Sequence, residues 1–237
     1  MTTGSHAFGE RIDRLRADLV DQARRVLTVV EASFEALFGR SPERAAWVFA
    51  ADDEIDRVDV AIERACVDIL DDATEVGARL DAEQVRMLLT IAKINNELER
   101  VADAAVDVAE LGQRPVSGPY PDTFRVMANS VIGILRDTGT VVARKDPALA
   151  KVVLQSQHAV AAFKAAIVRD AEQKIAAGSM TVDFAFTLHE LASLCELIAD
   201  HCTNIAEQVI YATTGAIVRH TADRWEEVQN KKEPLGH

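Results

Sequence analysis

The chain contains 237 residues, and its 38 acidic side chains outnumber the 26 basic ones to give a formal net charge of −12. This charge argues against binding to a nucleic-acid backbone and favours cations or basic partner surfaces. Hydrophobic residues make up 49% of the chain but aromatic residues only 5%, a composition that favours helices packed on helices over a sheet core.

Three long helices are predicted in the first half of the chain, over about residues 7–38, 41–72 and 81–111. Ser41 followed by Pro42 is typical of an N-cap and a first helical residue, and it marks the start of the second helix. In the third stretch, apolar residues recur at steps of three and four, as they do on the buried face of an amphipathic helix.

The segment 112–121 is the only Pro- and Gly-rich segment of any size, and it separates the two halves of the chain. Three further helices are predicted after it, over about residues 122–144, 147–178 and 181–213. In the last of these, leucines and isoleucines again follow three- and four-residue steps. The second half therefore repeats the plan of the first.

Beyond Gly215, which marks a bend or cap, we expect a shorter helical extension to about Val228. Residues 229–237 lack apolar periodicity and are expected to form a mobile tail. Because the turns between the long helices are short, the simplest fold is all-α, with two tandem antiparallel three-helix bundles over residues 7–112 and 122–228.

The sequence also indicates the cellular compartment in which the protein is located. No apolar run approaches the ~20 residues that cross a bilayer, and charges between Glu10 and Arg16 stand where a signal peptide needs an apolar core. The odd set of Cys66, Cys195 and Cys202 lacks CxxC spacing, which indicates reduced core residues rather than a disulfide framework. We therefore expect a soluble, cytoplasmic protein without membrane insertion.

One acidic pattern occurs twice, ninety-seven residues apart. The first copy reads Glu99-x-x-x-Asp103-x-x-x-Asp107, and the second copy reads Glu196-x-x-x-Asp200-x-x-x-Asn204. Residues four apart on a helix are neighbours, so each copy forms a column along one helix face. The repeat indicates two copies of one helical unit.

A second acidic pair precedes the first column, on the second predicted helix. If the second and third helices pack side by side, five carboxylates can meet, namely Asp52, Asp56, Glu99, Asp103 and Asp107. Such oxygen-rich clusters suit hard or borderline cations, among them Fe, Mn, Mg and Ca. The alternative is a solvated face whose charge is partly neutralised by Arg57 and Arg100.

Two segments resemble the repeated signature of the PhoU family of phosphate-uptake regulators. They are residues 94–110 (INNELERVADAAVDVAE) and 194–220 (LCELIADHCTNIAEQVIYATTGAIVRH), and residues 52–56 (DDEID) resemble the acidic motif on the preceding helix of that family. The similarity extends in order over roughly residues 8–221. It implies two tandem three-helix bundles, and metal binding, including iron clusters, at paired acidic motifs.

The same resemblance implies a function and partners. Members of the family repress the phosphate-starvation response, and they act between a phosphate ABC transporter, through its ATPase subunit, and a membrane sensor histidine kinase. The sequence departs from the family pattern at residues 157–161, which align with the acidic motif 52–56 but carry no carboxylate. We therefore expect any complete metal site in the first bundle.

The second acidic set consists of Glu196, Asp200 and Asn204, with His189 and His201 as accessory candidates. We expect a weakened or absent metal site there. The alternative is a structural role, in which Asp200, His201 and Asn204 form hydrogen bonds with neighbouring helices.

Two other functions compete with a regulatory adaptor. One is a divergent helical metal-binding or interaction module that is unrelated to phosphate. The other is a carboxylate-bridged di-iron enzyme, but such sites use Glu-x-x-His pairs and the chain contains none. A P-loop and a GxSxG motif are also absent, so we predict that the protein is not an enzyme.

The oligomeric state is not determined by the sequence, and a homodimer is one alternative.

Overall fold

The computed structural model describes residues 2–115, 118–221 and 224–228, and the side chains of residues 7–115 and 118–218. In these ranges the chain forms six α-helices and one short hairpin. The helices are α1 (Thr2–Gly39), α2 (Pro42–Glu75), α3 (Ala82–Gly112), α4 (Asp122–Arg144), α5 (Pro147–Ala176) and α6 (Val182–Thr214). The six predicted helices are confirmed.

Polar caps set the start of these helices. The Ser41 hydroxyl accepts a hydrogen bond from the Arg44 backbone N–H at the start of α2. Asp81 and Gln84 form a capping box at the start of α3. Each cap satisfies backbone N–H groups that the first turn of a helix leaves unpaired.

The helices form two bundles with a shared core. Helices α1, α2 and α3 pack on one another, and α4, α5 and α6 do the same. The bundles meet through α3 against α6 and α1 against α4, and buried side chains of both belong to one hydrophobic cluster. The all-α arrangement of two repeats is therefore confirmed.

The helical extension predicted after Gly215 is wrong. Gly215 ends α6 in the left-handed region, with φ 74°, and the chain then forms the antiparallel strands β1 (Ile217–Thr221) and β2 (Arg224–Val228). A left-handed glycine is a common helix stop, and the β-branched residues that follow favour an extended backbone. The predicted mobile tail, residues 229–237, lies outside the described residues.

Two further predictions can be compared with the structure. Cys66, Cys195 and Cys202 are buried and form no disulfide, as expected for core residues. Within the described ranges, no helix combines the length and apolar character that crossing a membrane requires.

Candidate metal site and contacts between the bundles

Carboxylates from two adjacent helices form what we call the first acidic face. It consists of six side chains, three on α2 and three on α3: Asp52, Asp56, Asp59, Glu99, Asp103 and Asp107. On each helix they are three or four residues apart and share one side, and α2 packs directly against α3. The packing of neighbouring helices thus adds the acidic pair of α2 to the column of α3.

Asp52 is the most perturbed member of this face. Its pKa is raised from 3.8 to about 6, first because the side chain is partly buried, and then because Asp56, Asp103 and Asp53 bring negative charge close to it. In addition, its Oδ1 atom is buried and has no hydrogen-bond partner. A buried carboxylate oxygen without a donor is costly, so this atom calls for a cation or a proton.

The pKa values of three other members, Asp59, Glu99 and Asp103, are also raised. Burial raises the pKa of Glu99 first, and nearby carboxylates, with Asp103 foremost, raise it further. The pKa of Asp103 is raised by burial and then by Asp56 and Asp107. The structure therefore brings all five predicted side chains into one negatively charged region, with Asp107 at its edge.

Of the two arginines considered as partners, only Arg100 offsets part of the negative charge of this region. Arg57 pairs with Glu54, one helical turn away on α2, and the Arg100 Nε atom donates to Asn96 Oδ1 at 3.3 Å. Arg100 favours ionisation of Glu99 and Asp103 only at longer range. Within the described residues, neither arginine forms an ion pair with the first acidic face.

Sequence reasoning missed Asp59 and its contact with Asn95. The Asn95 side-chain amide donates to Asp59 Oδ1 at 2.7 Å and to the Asp59 carbonyl oxygen at 3.0 Å. Asp59 follows Asp56 by three residues, so the acidic column of α2 could have been extended to it. It belongs to the same region, because its charge contributes to the raised pKa of Glu99.

The carboxylates of the first acidic face do not form a ready-made ligand set. In the part of the chain that the structure describes, no three Asp, Glu, His or Cys side chains are arranged so that they could hold a metal ion. The unpartnered Asp52 oxygen and the excess of negative charge suit a cation, but side chains would have to turn toward it.

The second acidic set has a different chemistry. The Lys164 ammonium lies 2.6 Å from Glu196 Oε2, and the Gln157 side-chain amide donates to Asp200 Oδ1. Burial raises the pKa of Asp200, whereas the hydrogen bond from Gln157 lowers it. Both carboxylates of the second set therefore have partners from α5.

The internal repeat relates these partners to the first acidic face. If residues 157–161 correspond to residues 52–56, Gln157 takes the position of Asp52, and Lys164 takes the position of Asp59. An amide thus faces Asp200 where a carboxylate faces Asp103 in the first bundle. The second bundle therefore gives both carboxylates of its column a direct partner from α5, whereas in the first bundle the corresponding position of α2 holds the carboxylate of Asp52.

Asn204 and His201 make contacts between the two bundles. The Asn204 side-chain amide donates to Glu97 Oε2 at 3.0 Å, and His201 Nδ1 lies 2.7 Å from the same oxygen. Burial alone would raise the pKa of Glu97, but the hydrogen bonds with these two side chains and the positive charges of His201 and Arg100 together lower it. The sequence offered no signal for Glu97, because its counterpart in the second copy is Leu194.

Comparison with known proteins agrees with this architecture. The PhoU domain matches residues 11–112 and 124–209, one match in each bundle. The chain belongs to the PhoU family. The resemblance seen in the sequence is therefore confirmed.

Individual relatives of the chain cover nearly its full length. It is similar to the phosphate-specific transport system accessory protein PhoU homolog of Zymomonas mobilis, with 29% identity over 88% of this chain and 87% of the relative. The crystal structure of PhoU from Pseudomonas aeruginosa has a TM-score of 0.80 and 25% identity, covering 88% of this chain and 99% of that one.

A second solved structure supports the fold. The phosphate transport system regulatory protein PhoU from Streptococcus pneumoniae has a TM-score of 0.81 and 18% identity, covering 90% of this chain and 100% of that one. At this identity the likeness concerns the fold alone.

Proposed function

We propose that this protein regulates phosphate uptake and phosphate-starvation signalling. In this proposal it acts in the cytoplasm as a helical adaptor between the ATPase subunit of a phosphate ABC transporter and a sensor histidine kinase. The observation that carries the proposal is the PhoU match in both bundles. The relatives are named as accessory or regulatory proteins of phosphate transport, and these names describe no catalytic activity.

The surface of the chain is consistent with binding to other proteins. Several large apolar side chains of α2 are exposed, among them Trp47, Val60 and Val67. The net charge of −12 favours association with basic partner surfaces and repels acidic ones. Exposed apolar groups among charged ones are a common composition for a surface that binds partners transiently.

Deletion of the gene tests the regulatory function. In phosphate-rich medium, the deletion strain should express phosphate-starvation genes that the parent strain keeps repressed, and the wild-type gene supplied in trans should restore repression. Unchanged expression in the deletion strain would contradict the proposal and favour a helical module unrelated to phosphate.

Affinity capture tests the adaptor role separately. The tagged chain should recover the transporter ATPase subunit or a histidine kinase from extracts of phosphate-replete cells. Extracts of cells that lack the transporter genes provide the control for the ATPase. Recovery of neither protein would count against the adaptor role without affecting the regulatory one.

We also propose that the first acidic face binds a hard or borderline cation such as Mn²⁺ or Fe²⁺, and that the second acidic set does not. Support comes from the unpartnered Oδ1 atom of Asp52 and from the raised pKa values of Asp52, Glu99 and Asp103. Among the described residues, Arg100 lowers the pKa of Glu99 and Asp103 but forms no ion pair with this face. In the second set, by contrast, Lys164 already supplies a positive charge to Glu196. A metal ion would there compete with an ammonium group that the protein itself provides.

Two matched variants distinguish the acidic sets. Asp103→Asn and Asp200→Asn make the same substitution at corresponding positions of the repeat. Titration of the purified protein with Mn²⁺ should show binding that Asp103→Asn weakens about tenfold or more, since affinity depends on the number of charged ligands, whereas Asp200→Asn leaves it nearly unchanged. An equal effect of both variants, or no binding to the wild type, would contradict the metal proposal.

A further inference from the structure

A small cavity lies between α3 and α6, on the contact between the bundles. Its volume is about 140 Å³. It is lined by Leu89, Thr90 and Lys93 of α3, by Gln208 and Tyr211 of α6, and by Ile217 at the start of β1. The polar groups of this lining are an ammonium, an amide and two hydroxyls, and no carboxylate is among them. All four can donate hydrogen bonds.

Within the described ranges, one of these donors is buried without a partner, and another is an exposed ammonium without an ion pair. Thr90 is only 3% exposed, and its Oγ1 atom makes no hydrogen bond. Among the residues that the structure describes, Lys93 forms no ion pair, although the chain as a whole carries an excess of acidic groups. A buried hydroxyl without an acceptor, in the same lining as an exposed ammonium that forms no ion pair, is an arrangement that an anion would complete.

A second cation, Arg86, contacts the ring of Tyr211, one of the residues that line the cavity. The Arg86 guanidinium lies 5.7 Å from the centre of the Tyr211 ring. It packs so closely against Gly215 that a side chain there would come within 3.0 Å of Nη1. Arg86 also lies at the C-terminal end of α6, where a positive charge is favoured by the helix dipole. The dipole of α6 explains why a positive charge is favoured at Arg86, but it does not explain the positive charge at Lys93.

The internal repeat shows what the cavity lacks. A displacement of ninety-seven residues relates Lys93 to Glu190 and Arg114 to Tyr211. At the other end of the contact between α3 and α6, the Arg114 Nη1 atom donates to Glu190 Oε2 at 3.1 Å. That end therefore joins a cation to a carboxylate. At this end a lysine and a tyrosine occupy the corresponding positions, and the acidic partner is missing.

We propose that this cavity binds a compact inorganic oxyanion of the phosphate or sulfate type. Lys93 and Arg86 supply positive charge, and Tyr211, Gln208 and Thr90 supply donors to the oxygens of the anion. Because the lining comes from both α3 and α6, the bound anion joins the first bundle to the second. This site goes beyond the proposed adaptor function and depends on neither a partner protein nor a metal.

Thermal unfolding and calorimetric titration of the purified full chain test the site. Potassium phosphate is compared with potassium chloride at equal ionic strength, with EDTA present to exclude metal effects. Phosphate should raise the melting temperature of the wild type. Lys93→Gln should weaken binding about tenfold or more, because it removes a charge-assisted hydrogen bond. The control Arg64→Gln removes one positive charge from an exposed position of α2 and should bind as the wild type does.

Two further variants keep the test independent of folding defects. Lys93→Arg retains the charge and should retain binding. Tyr211→Phe retains the ring beside Arg86 but loses the hydroxyl, and it should bind phosphate more weakly.

Stabilisation by both phosphate and sulfate, or by phosphate alone, would support the proposal and define its selectivity. It would be overturned by a chloride effect equal to that of phosphate. Full binding by Lys93→Gln would overturn it as well.

Discussion

Replacement of Asp52 by asparagine is expected to stabilise the metal-free protein at neutral and alkaline pH. At this pH the wild-type side chain is a carboxylate with a buried, unpartnered Oδ1 atom and with Asp56 and Asp103 close by. Asparagine has nearly the same shape, carries no charge and can donate a hydrogen bond to Asp103. Gln157 already makes the corresponding contact with Asp200 in the second bundle.

The raised pKa of Asp52 sets the size of this effect. Its pKa in the folded protein is about 6, against an ordinary value of 3.8. At 1.36 kcal/mol for each pKa unit, the full difference corresponds to about 3 kcal/mol. Because the side chain is only partly buried, solvent screens part of this cost. We therefore expect Asp52→Asn to raise the free energy of unfolding by about 1–2 kcal/mol.

The pH dependence follows from the direction of the shift. The folded state binds the proton of Asp52 more tightly than the unfolded state does, so ionisation of this carboxyl costs stability. The cost is complete above about pH 6 and shrinks as the pH falls from 6 toward 4, where wild-type Asp52 becomes protonated. The advantage of the asparagine variant should therefore be largest near pH 8 and fade over this interval.

Urea unfolding followed by helical circular dichroism, with EDTA present, measures the effect near pH 8 and near pH 4.5. Asp68→Asn, at an exposed position of α2, removes the same charge and should change stability by less than about 0.5 kcal/mol. The reasoning is refuted if Asp52→Asn lowers stability near pH 8, or if its advantage is the same at both pH values. A gain no larger than that of the control would refute it too.

Three further predictions concern other contacts. Lys164→Met leaves the half-buried Glu196 carboxylate without its cation and should lower the free energy of unfolding by about 1–2 kcal/mol at neutral pH. Glu97→Gln weakens the contact with His201 between the bundles and should lower the melting temperature. Because the pKa of Glu97 is lowered in the folded protein, the loss should be present above about pH 4.5 and disappear as the pH falls through the folded pKa. Thr90→Val removes an unpartnered buried hydroxyl and, without added anions, should raise the free energy of unfolding by about 1 kcal/mol.

Each of these three predictions has a measurement that can contradict it. Lys174→Met breaks a more exposed pair with Asp170, so an equal loss in both lysine variants would show that burial of the Glu196 pair has no effect. For Glu97→Gln, the melting temperature should be measured from about pH 7 down to pH 3, and a loss that does not vary with pH would be inconsistent with the lowered pKa. For Thr90→Val, reduced stability in urea unfolding would mean that the hydroxyl has an acceptor in solution.

Sequence reasoning succeeded where the determining interactions are local. The side chains of Ser41 and Thr181 cap the first turns of α2 and α6, and Pro42 occupies the first helical position of α2. The hairpin after Gly215 was missed because two short strands have no periodicity long enough to distinguish them from a frayed helix. The β-branched residues Ile217 and Val218 were the available signal.

The candidate site was predictable only in part. Four-residue spacing places Asp52 beside Asp56, and Glu99 beside Asp103, on any α-helix, and a short connection between α2 and α3 makes the two helices neighbours. The partner of Glu97 could not be predicted in this way. Glu97 and His201 are 104 positions apart in the sequence. They meet only because of the register of α3 against α6, which is decided by side-chain packing along the whole contact between these helices.

The repeated acidic pattern thus determined by itself that the protein consists of two copies of one helical unit, because helical periodicity and capping depend on residues a few positions apart. Only the tertiary structure decided that the two copies differ in charge compensation. Lys164 and Gln157 reach the second column from a neighbouring helix, whereas the first column faces other carboxylates. Whether a buried charge is compensated depends on atoms that are close in space but distant in sequence, and those atoms are brought together only when the helices pack.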